Sequence, residues 1–482
     1  MDDLKSRAVR GGFAKLCGQV ASLGLRIVSM AVMARLLNPE DFGLVAMATA
    51  VTGIYGLFTT GGLSSATVQR ANIDDGEVSA LFWINIVLGV VLALLCAASA
   101  PVIVRFYQEP RLLWVTIIIA VGFLVNAAGV QHLALLERQL RYVAVSVLEL
   151  LSQMVSVLAG VGLALAGFGY WSLVAAGVAQ SAVGTICAWV ATGWIPGPPR
   201  WRTSTGSMLR FGGTITLNGL VVYLAYNLEK VLLGRFWGAD ALGIYARAYQ
   251  LVTIPTDNLN SAVGVVAFST LSRLQHDRVR LKSYYLKGYS LMVSLTIPTT
   301  IFCALFADDI VQVLLGPKWL EAAHIFRLLT PTVLIFGMIN PLYWLLLSIG
   351  LQGRSLAIGF VIAPLVISAY FMGLPYGPRG VATAYSAVMT IWLVPHLVWC
   401  LYRTPISLKE LFSVVSRPLL SGVVAAAITF VVQFYPWGSP VLRVIFGGCL
   451  MVGIYWAMLL FVMGQRALYL DLLEALRKSA LR

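Results

Sequence analysis

Four polar residues recur along KLCGQVASLGLRIVSM, residues 15–30: Lys15, Gln19, Ser22 and Arg26. The spacing i, i+4, i+7, i+11 places all four on one face of an α-helix. The helical rise separates Lys15 from Arg26 by about 16 Å along the axis. Such a stripe can hold an anion at successive heights. Arginine suits the task, because its planar fork engages two phosphate oxygens at once and stays charged in a poorly hydrated setting. A second set, Tyr223, Asn227 and Lys230, has the spacing i, i+4, i+7, and Glu229, Arg247 and Asp257 lie close by in the sequence.

The elements that carry these groups are membrane helices. The 482 residues are 59% hydrophobic and only 11% charged, with a mean hydropathy of +0.85, whereas a soluble domain carries about 25% charged residues. Apolar runs near the ~20 residues that cross a bilayer predict fourteen spans: 12–36, 43–66, 79–104, 112–135, 142–167, 170–195, 211–236, 244–270, 288–307, 323–349, 355–374, 381–402, 416–435 and 442–463. The opening MDDLKSRAVR precedes a full-length span with no small-residue cleavage site, so no cleaved signal peptide and no lipid anchor are expected. An ionisable group at the centre of such a helix costs about 2.5–3.5 kcal/mol on insertion scales, which makes each one a functional candidate.

A net charge of +14 raises the question of a nucleic-acid partner, and its distribution answers it. With the N-terminus inside, inner segments hold 22 Lys and Arg and outer segments seven. The positive-inside rule then places both termini in the cytoplasm. The basicity reports topology, and no nucleic acid is expected. Residues 273–287 are expected as an inner loop with Tyr284 and Tyr285 at the interface. Cys17, Cys96, Cys187, Cys303, Cys400 and Cys449 are scattered singly, and the four histidines sit on separate segments, so metal-ligand spacing and cofactor motifs are absent.

A repeat appears at a shift of 200 residues. ARLLNPEDFGLVA after the first span matches GRFWGADALGIYA after the seventh, pairing Arg35 with Arg235, Gly43 with Gly243 and Ala46 with Ala246. Six spans per copy give both copies one orientation, a transporter architecture with the substrate site between the halves. The expected organisation is an all-α polytopic membrane protein with two parallel six-helix lobes around a central cavity and two extra C-terminal helices. The lobes are 1–195 and 211–402, joined by the linker 196–210; residues 403–482 hold the last two spans and a cytoplasmic tail. The loops are too short for a soluble catalytic domain.

LLNPEDFGLVAMATA, GGLSSATVQR and ERQLRYVAVSVLELLSQMVSVLAGVGLALAGFGYWSLV resemble the N-terminal lobe of bacterial polysaccharide exporters. ALGIYARAYQL and GPKWLEAAHIFRLL resemble their C-terminal lobe. The family is the Wzx-type polysaccharide and O-antigen flippases of the multidrug/oligosaccharidyl-lipid/polysaccharide superfamily, and the likeness covers roughly residues 10–400. It implies an inner-membrane flippase that moves undecaprenyl-diphosphate-linked oligosaccharide to the periplasmic leaflet for O-antigen, capsule or exopolysaccharide synthesis. A polysaccharide polymerase and other assembly proteins would be partners. Related lipid II flippases carry basic cavity residues on the first and eighth helices, which Lys15, Arg26 and Arg247 resemble by helix.

Each charge also has a structural reading. Lys15 can snorkel to the headgroups, Lys230 can pair with Glu229, and Arg247 and Arg327 lie near outer ends. Arg26 could pair with Asp257. Asp257, just after Pro255, could cap a proline-broken helix or bind a coupling cation, and Glu229 is a second candidate for ion coupling. Glu149 and Gln153 share a face as interhelical glue. The expected cavity set is Lys15, Gln19, Arg26, Tyr223, Asn227, Lys230 and Arg247. Two other functions compete. A cation-coupled drug antiporter would favour acids in its cavity, yet basic groups exceed acids inside the spans. A membrane polymerase or glycosyltransferase would need catalytic residues on a substantial outer loop, and Glu40, Asp41, Asp308 and Asp309 have no convincing partners there.

Overall fold

The computed structural model describes residues 2–60, 67, 73–198, 205–435, 438–466 and 469. Side chains are described within these ranges except at 2–17, 60, 205–219, 221–222, 261–262, 265–266 and 269. Among the described residues every regular element is helical. This is the outcome expected where lipid cannot satisfy backbone N–H and C=O groups.

Among the described residues the first six helices are α1 (Asp2–Leu36), α2 (Pro39–Thr60), α3 (Asp75–Tyr107), α4 (Leu112–Arg138), α5 (Tyr142–Leu165) and α6 (Trp171–Thr192). A helical run from Thr205 to Arg273 then leaves helical geometry only at Gly238, with φ 83° and ψ −178°. It divides there into α7 (205–237) and α8 (239–273). α9 (Arg278–Leu305), α10 (Ala307–Leu314), α11 (Leu320–Leu329), α12 (Pro331–Ser348), α13 (Gln352–Gly373), α14 (Gly377–Leu401), α15 (Leu408–Phe430) and α16 (Pro440–Ala457) complete the chain. Polar residues set several starts. Asp74 and Glu77 form a capping box on α3, and Ser407 and Glu410 form another on α15, satisfying the first free N–H groups of each helix.

Eleven stretches among the described residues are long and apolar enough to cross a membrane, one of them holding both α13 and α14. The expected spans on α7 and α8 are helical but are not among the eleven. Glu229, Lys230 and Arg235 interrupt the first, and Arg247 and Asp257 the second. The chain is a multi-pass membrane protein.

Other expectations need correction. The inner loop expected over 273–287 is mostly helix, since α9 begins at Arg278 behind the cap Asp277. Tyr285 is not interfacial: it is 3% exposed in a core with Tyr289, Leu342 and Leu397, while Tyr284 is exposed. The expected span 323–349 is two helices, because Pro331 opens α12 at its first position. No break occurs at Pro255, which sits inside continuous helix. Beside the lost donor, Thr256 Oγ1 donates to Val252 O at 3.0 Å and Asn258 Nδ2 to Ile254 O at 2.7 Å. Both are side-chain bonds back to carbonyls of the preceding turn.

The described residues form two compact units, Met1–Ala246 and Arg247–Arg482. Inside the first unit the two copies of the repeat meet. A Cβ on Gly43 would lie 1.7 Å from the carbonyl oxygen of Ala239, and a Cβ on Gly243 would lie 1.9 Å from that of Pro39. Residues 39 and 239, like 43 and 243, are partners under the 200-residue shift, so one contact is made twice with the copies exchanged. That reciprocity is the mark of a local two-fold relation. Glycine is required at both positions because backbone lies against backbone. Equivalent flanking residues are buried alike: Phe42 with Leu242 and Leu44 with Ile244.

Candidate functional site

Helix α1 leans on α5 through a polar pair. Ser22 Oγ donates to Gln153 Oε1 at 2.5 Å, and Gln153 Nε2 donates back to Ser22 O at 3.1 Å. The expected stripe therefore divides. Ser22 turns to α5, Gln19 and Arg26 are exposed, and the Lys15 side chain lies outside the described residues. Among the described residues Arg26 makes no hydrogen bond and no ion pair within its unit. Gln153 is interhelical glue, as expected; Glu149, one turn away on α5, is exposed.

The corresponding stripe on α7 is bonded to itself and to α2. Tyr223 donates its hydroxyl to the carbonyls of Thr49 and Ala50 at 3.1 and 3.2 Å. The ring occupies the hole left by Gly53, where a Cβ would fall 2.0 Å from the phenol oxygen. Asn227 Nδ2 donates to Tyr223 O at 3.0 Å, and Asn227 Oδ1 accepts from Lys230 Nζ at 2.7 Å. Glu229 is fully buried. The three expected residues of α7 thus form one chain, with Tyr223 as its anchor in α2 and the partly buried Lys230 ammonium at its end.

In the second unit Arg247 donates to the Gln250 side chain one turn along α8. Asp257 is exposed on the same helix. Among the described residues no cluster of three His, Cys, Asp or Glu could hold a metal ion.

The combination is one exposed arginine deep in an apolar helix, a tethered lysine on the repeat-related helix, and a glycine crossing that joins the two copies. The model of the family described as polysaccharide biosynthesis protein matches residues 32–324, which includes both copies of the crossing. The chain belongs to this family. It is 28% identical over 394 residues to the teichuronic acid biosynthesis protein TuaB of Bacillus subtilis, covering 77% of each chain. It is 24% identical to the lipopolysaccharide biosynthesis protein WzxC of Escherichia coli, over 72% of this chain and 70% of that one. With the succinoglycan biosynthesis transport protein ExoT of Rhizobium meliloti it shares 25% identity over 95% of this chain and 93% of the other.

Among solved structures, the lipid II flippase MurJ in an inward closed conformation superposes with a TM-score of 0.76 at 13% identity, covering 96% of this chain and all of MurJ. An inward-facing MATE multidrug transporter gives 0.65 at 15% identity over 80% of this chain and 94% of the other. The fold of this polysaccharide biosynthesis protein is that of the MurJ and MATE transporters, as the Wzx-type resemblance implied.

Glu40, Asp308 and Asp309 each have an arginine partner. Arg111 bridges Glu40 at 2.6 Å and Glu109 at 2.8 Å. Arg327 pairs with Asp308 at 2.6 Å, and Arg443 with Asp309 at 3.3 Å. These are structural clamps at helix ends, and they account for Arg327. The Arg111 guanidinium, hydrogen-bonded to Glu109, holds that carboxyl below the usual carboxylate range. Burial pushes the Asp309 carboxyl up despite Arg443 beside it. Nothing in the sequence links Glu40 to Arg111 or Asp309 to Arg443, 71 and 134 positions apart, so those two pairs could not be read from it.

Proposed function

We propose that this protein is a flippase that carries undecaprenyl-diphosphate-linked oligosaccharide from the cytoplasmic to the periplasmic leaflet of the inner membrane, for polysaccharide biosynthesis. One observation carries the reading: Arg26, midway along a bilayer-length helix, is exposed and engaged by no side chain among the described residues of its unit. A permanently charged group in that position has a cost unless a ligand or water-filled space receives it. A diphosphate is the matching ligand, because the guanidinium fork binds two phosphate oxygens and a moderate site lets the ligand leave. The names of TuaB, WzxC and ExoT support a role in glycan assembly, and the MurJ-like fold supports movement of a lipid-linked sugar.

In this reading both termini are cytoplasmic, and the lobes 1–195 and 211–402 enclose the path. Lys15 receives the diphosphate, Gln19 and Arg26 carry it, and Tyr223, Asn227, Lys230 and Arg247 draw it outward. Asp257 and Glu229 couple movement to an ion gradient. A polymerase and other assembly proteins take the product, and the protein itself catalyses no bond change. The drug-antiporter alternative shares the fold, but its cationic cargo would meet a basic stripe of the wrong sign.

The test is depletion of the protein in a strain that depends on it for its surface glycan. Lipid-linked oligosaccharide should accumulate on the cytoplasmic leaflet while surface glycan falls. Loss of surface glycan with no such accumulation would place the protein outside the translocation step.

A further inference from the structure

A cleft of 720 Å³ opens on the exposed side of α5 and α6, at the end that carries Arg141. Its walls are Val143, Val147 and Leu151 from α5, spaced i, i+4, i+8, and Ile186 and Val190 from α6, with Arg141 at the mouth. The wall residues are 46–49% exposed on α5 and 61% and 78% exposed on α6. From Arg141 to Leu151 the helix rises about 15 Å, half of the ~30 Å hydrocarbon core of a bilayer. The cleft is therefore as long as one leaflet is deep, apolar along its length and cationic at its headgroup end.

Arg141 is already placed by the fold. Its Nη1 donates to Ala191 O at 2.8 Å, the neighbouring Leu140 takes φ 55°, and the other guanidinium N–H groups stay available at the exposed mouth. The wall lies roughly a third of a turn around α5 from the face that Ser146 and Gln153 present to α1, at 100° per residue. It is thus separate from the polar stripe of α1.

We infer that this cleft is a binding site for one anionic phospholipid of the basic-side leaflet, with an acyl chain along Val143, Val147 and Leu151 and the phosphate on Arg141. The length match and the placement of one cation at headgroup depth select this occupant over a zwitterionic lipid. The inference does not depend on what the protein transports. The lipid would fasten the α4–α5 turn to the end of α6, because Arg141 reaches both the phosphate and Ala191 O.

The test is native mass spectrometry of the purified full-length protein titrated with phosphatidylglycerol or phosphatidylcholine. Wild type should retain phosphatidylglycerol roughly fivefold better, the factor matching the ~1 kcal/mol that one basic residue adds near an anionic surface. Arg141→Gln should lose the preference while still holding a lipid, and Val147→Trp, which fills the cleft, should lose the retained lipid. Val90→Trp, on the exposed face of α3, should match wild type. Equal retention of the two lipids by wild type would overturn the inference, as would an unchanged preference in Arg141→Gln. Displacement of phosphatidylglycerol by equimolar undecaprenyl phosphate would also overturn it, by assigning the cleft to a prenyl tail.

Discussion

The two helices that open the repeats, α1 and α7, carry similar polar stripes and use them in opposite ways. On α7 the stripe is tied down, with Tyr223 held by two carbonyls of α2 and Lys230 held by Asn227. On α1, among the described residues, Ser22 is tied through Gln153 and Arg26 stands exposed. A repeat that was symmetric in function would have kept both stripes alike. Here the copies share the crossing at Gly43 and Gly243 but differ in their charges: Arg26 on α1 is exposed, while Lys230 on α7 is held by Asn227.

The comparison breaks most completely at the crossing. Gly43→Ala and Gly243→Ala each put a methyl group into a backbone carbonyl, and overpacking of this kind costs about 1–3 kcal/mol. Both should lower the thermal unfolding midpoint of the purified protein and sharply reduce surface glycan. The double variant should cost less than the sum, since both methyls pry open one contact and neighbouring changes couple. A harmless Gly243→Ala beside a damaging Gly43→Ala would show that the contact is not reciprocal.

Asp257→Asn comes next. If the carboxylate binds a coupling cation, the variant should insert normally and lose gradient-dependent transport in vesicles. Transport equal to wild type would remove Asp257 from the mechanism. A smaller effect is expected on α7. Asn227→Ala removes the acceptor that positions Lys230 and should reduce export several-fold, in line with the 0.5–1.5 kcal/mol net value of one hydrogen bond. Lys230→Ala should give a similar loss, and the double variant no more than either. Additive losses would mean that Asn227 acts on its own.

Helices were legible in the sequence because lipid enforces them: most apolar runs fall on helices long enough to span, and the motif around Gly43 recurs around Gly243. The helix starts were less legible. Arg278–Lys287 reads as a charged loop, but the Asp277 cap lets α9 begin there and turns Tyr285 into the core. Pro255 reads as a break, yet the helix continues through it, and the departure falls at Gly238 instead. Of the candidate site, the i, i+4, i+7 rule grouped Tyr223, Asn227 and Lys230, which hydrogen bonds join, whereas on α1 Ser22 turns to α5. The rule could not tell that Tyr223 would fill the hole at Gly53, since that depends on how α2 and α7 pack.

The smallest effect expected is at the Arg111–Glu109 clamp. The Glu109 carboxyl is held below its ordinary range by Arg111, so its folded pKa is lower than its unfolded one. Its contribution is full above the ordinary carboxylate pKa of about 4.3 and fades as pH falls through the folded value. Because the pair is at the surface, Glu109→Gln should cost less than about 1 kcal/mol at neutral pH. The difference from wild type in unfolding midpoint should vanish below that window. A difference that grows with acidity would reverse the assigned sign.

The central claim is that Arg26 meets the diphosphate. Glycan export and membrane abundance, measured together for Arg26→Ala and Arg26→Lys, test it most directly. Arg26→Ala should reach the membrane at normal abundance and export nothing. Arg26→Lys should retain part of the export, because it keeps the charge and loses the bidentate geometry. Full export by Arg26→Ala at normal abundance would contradict the claim.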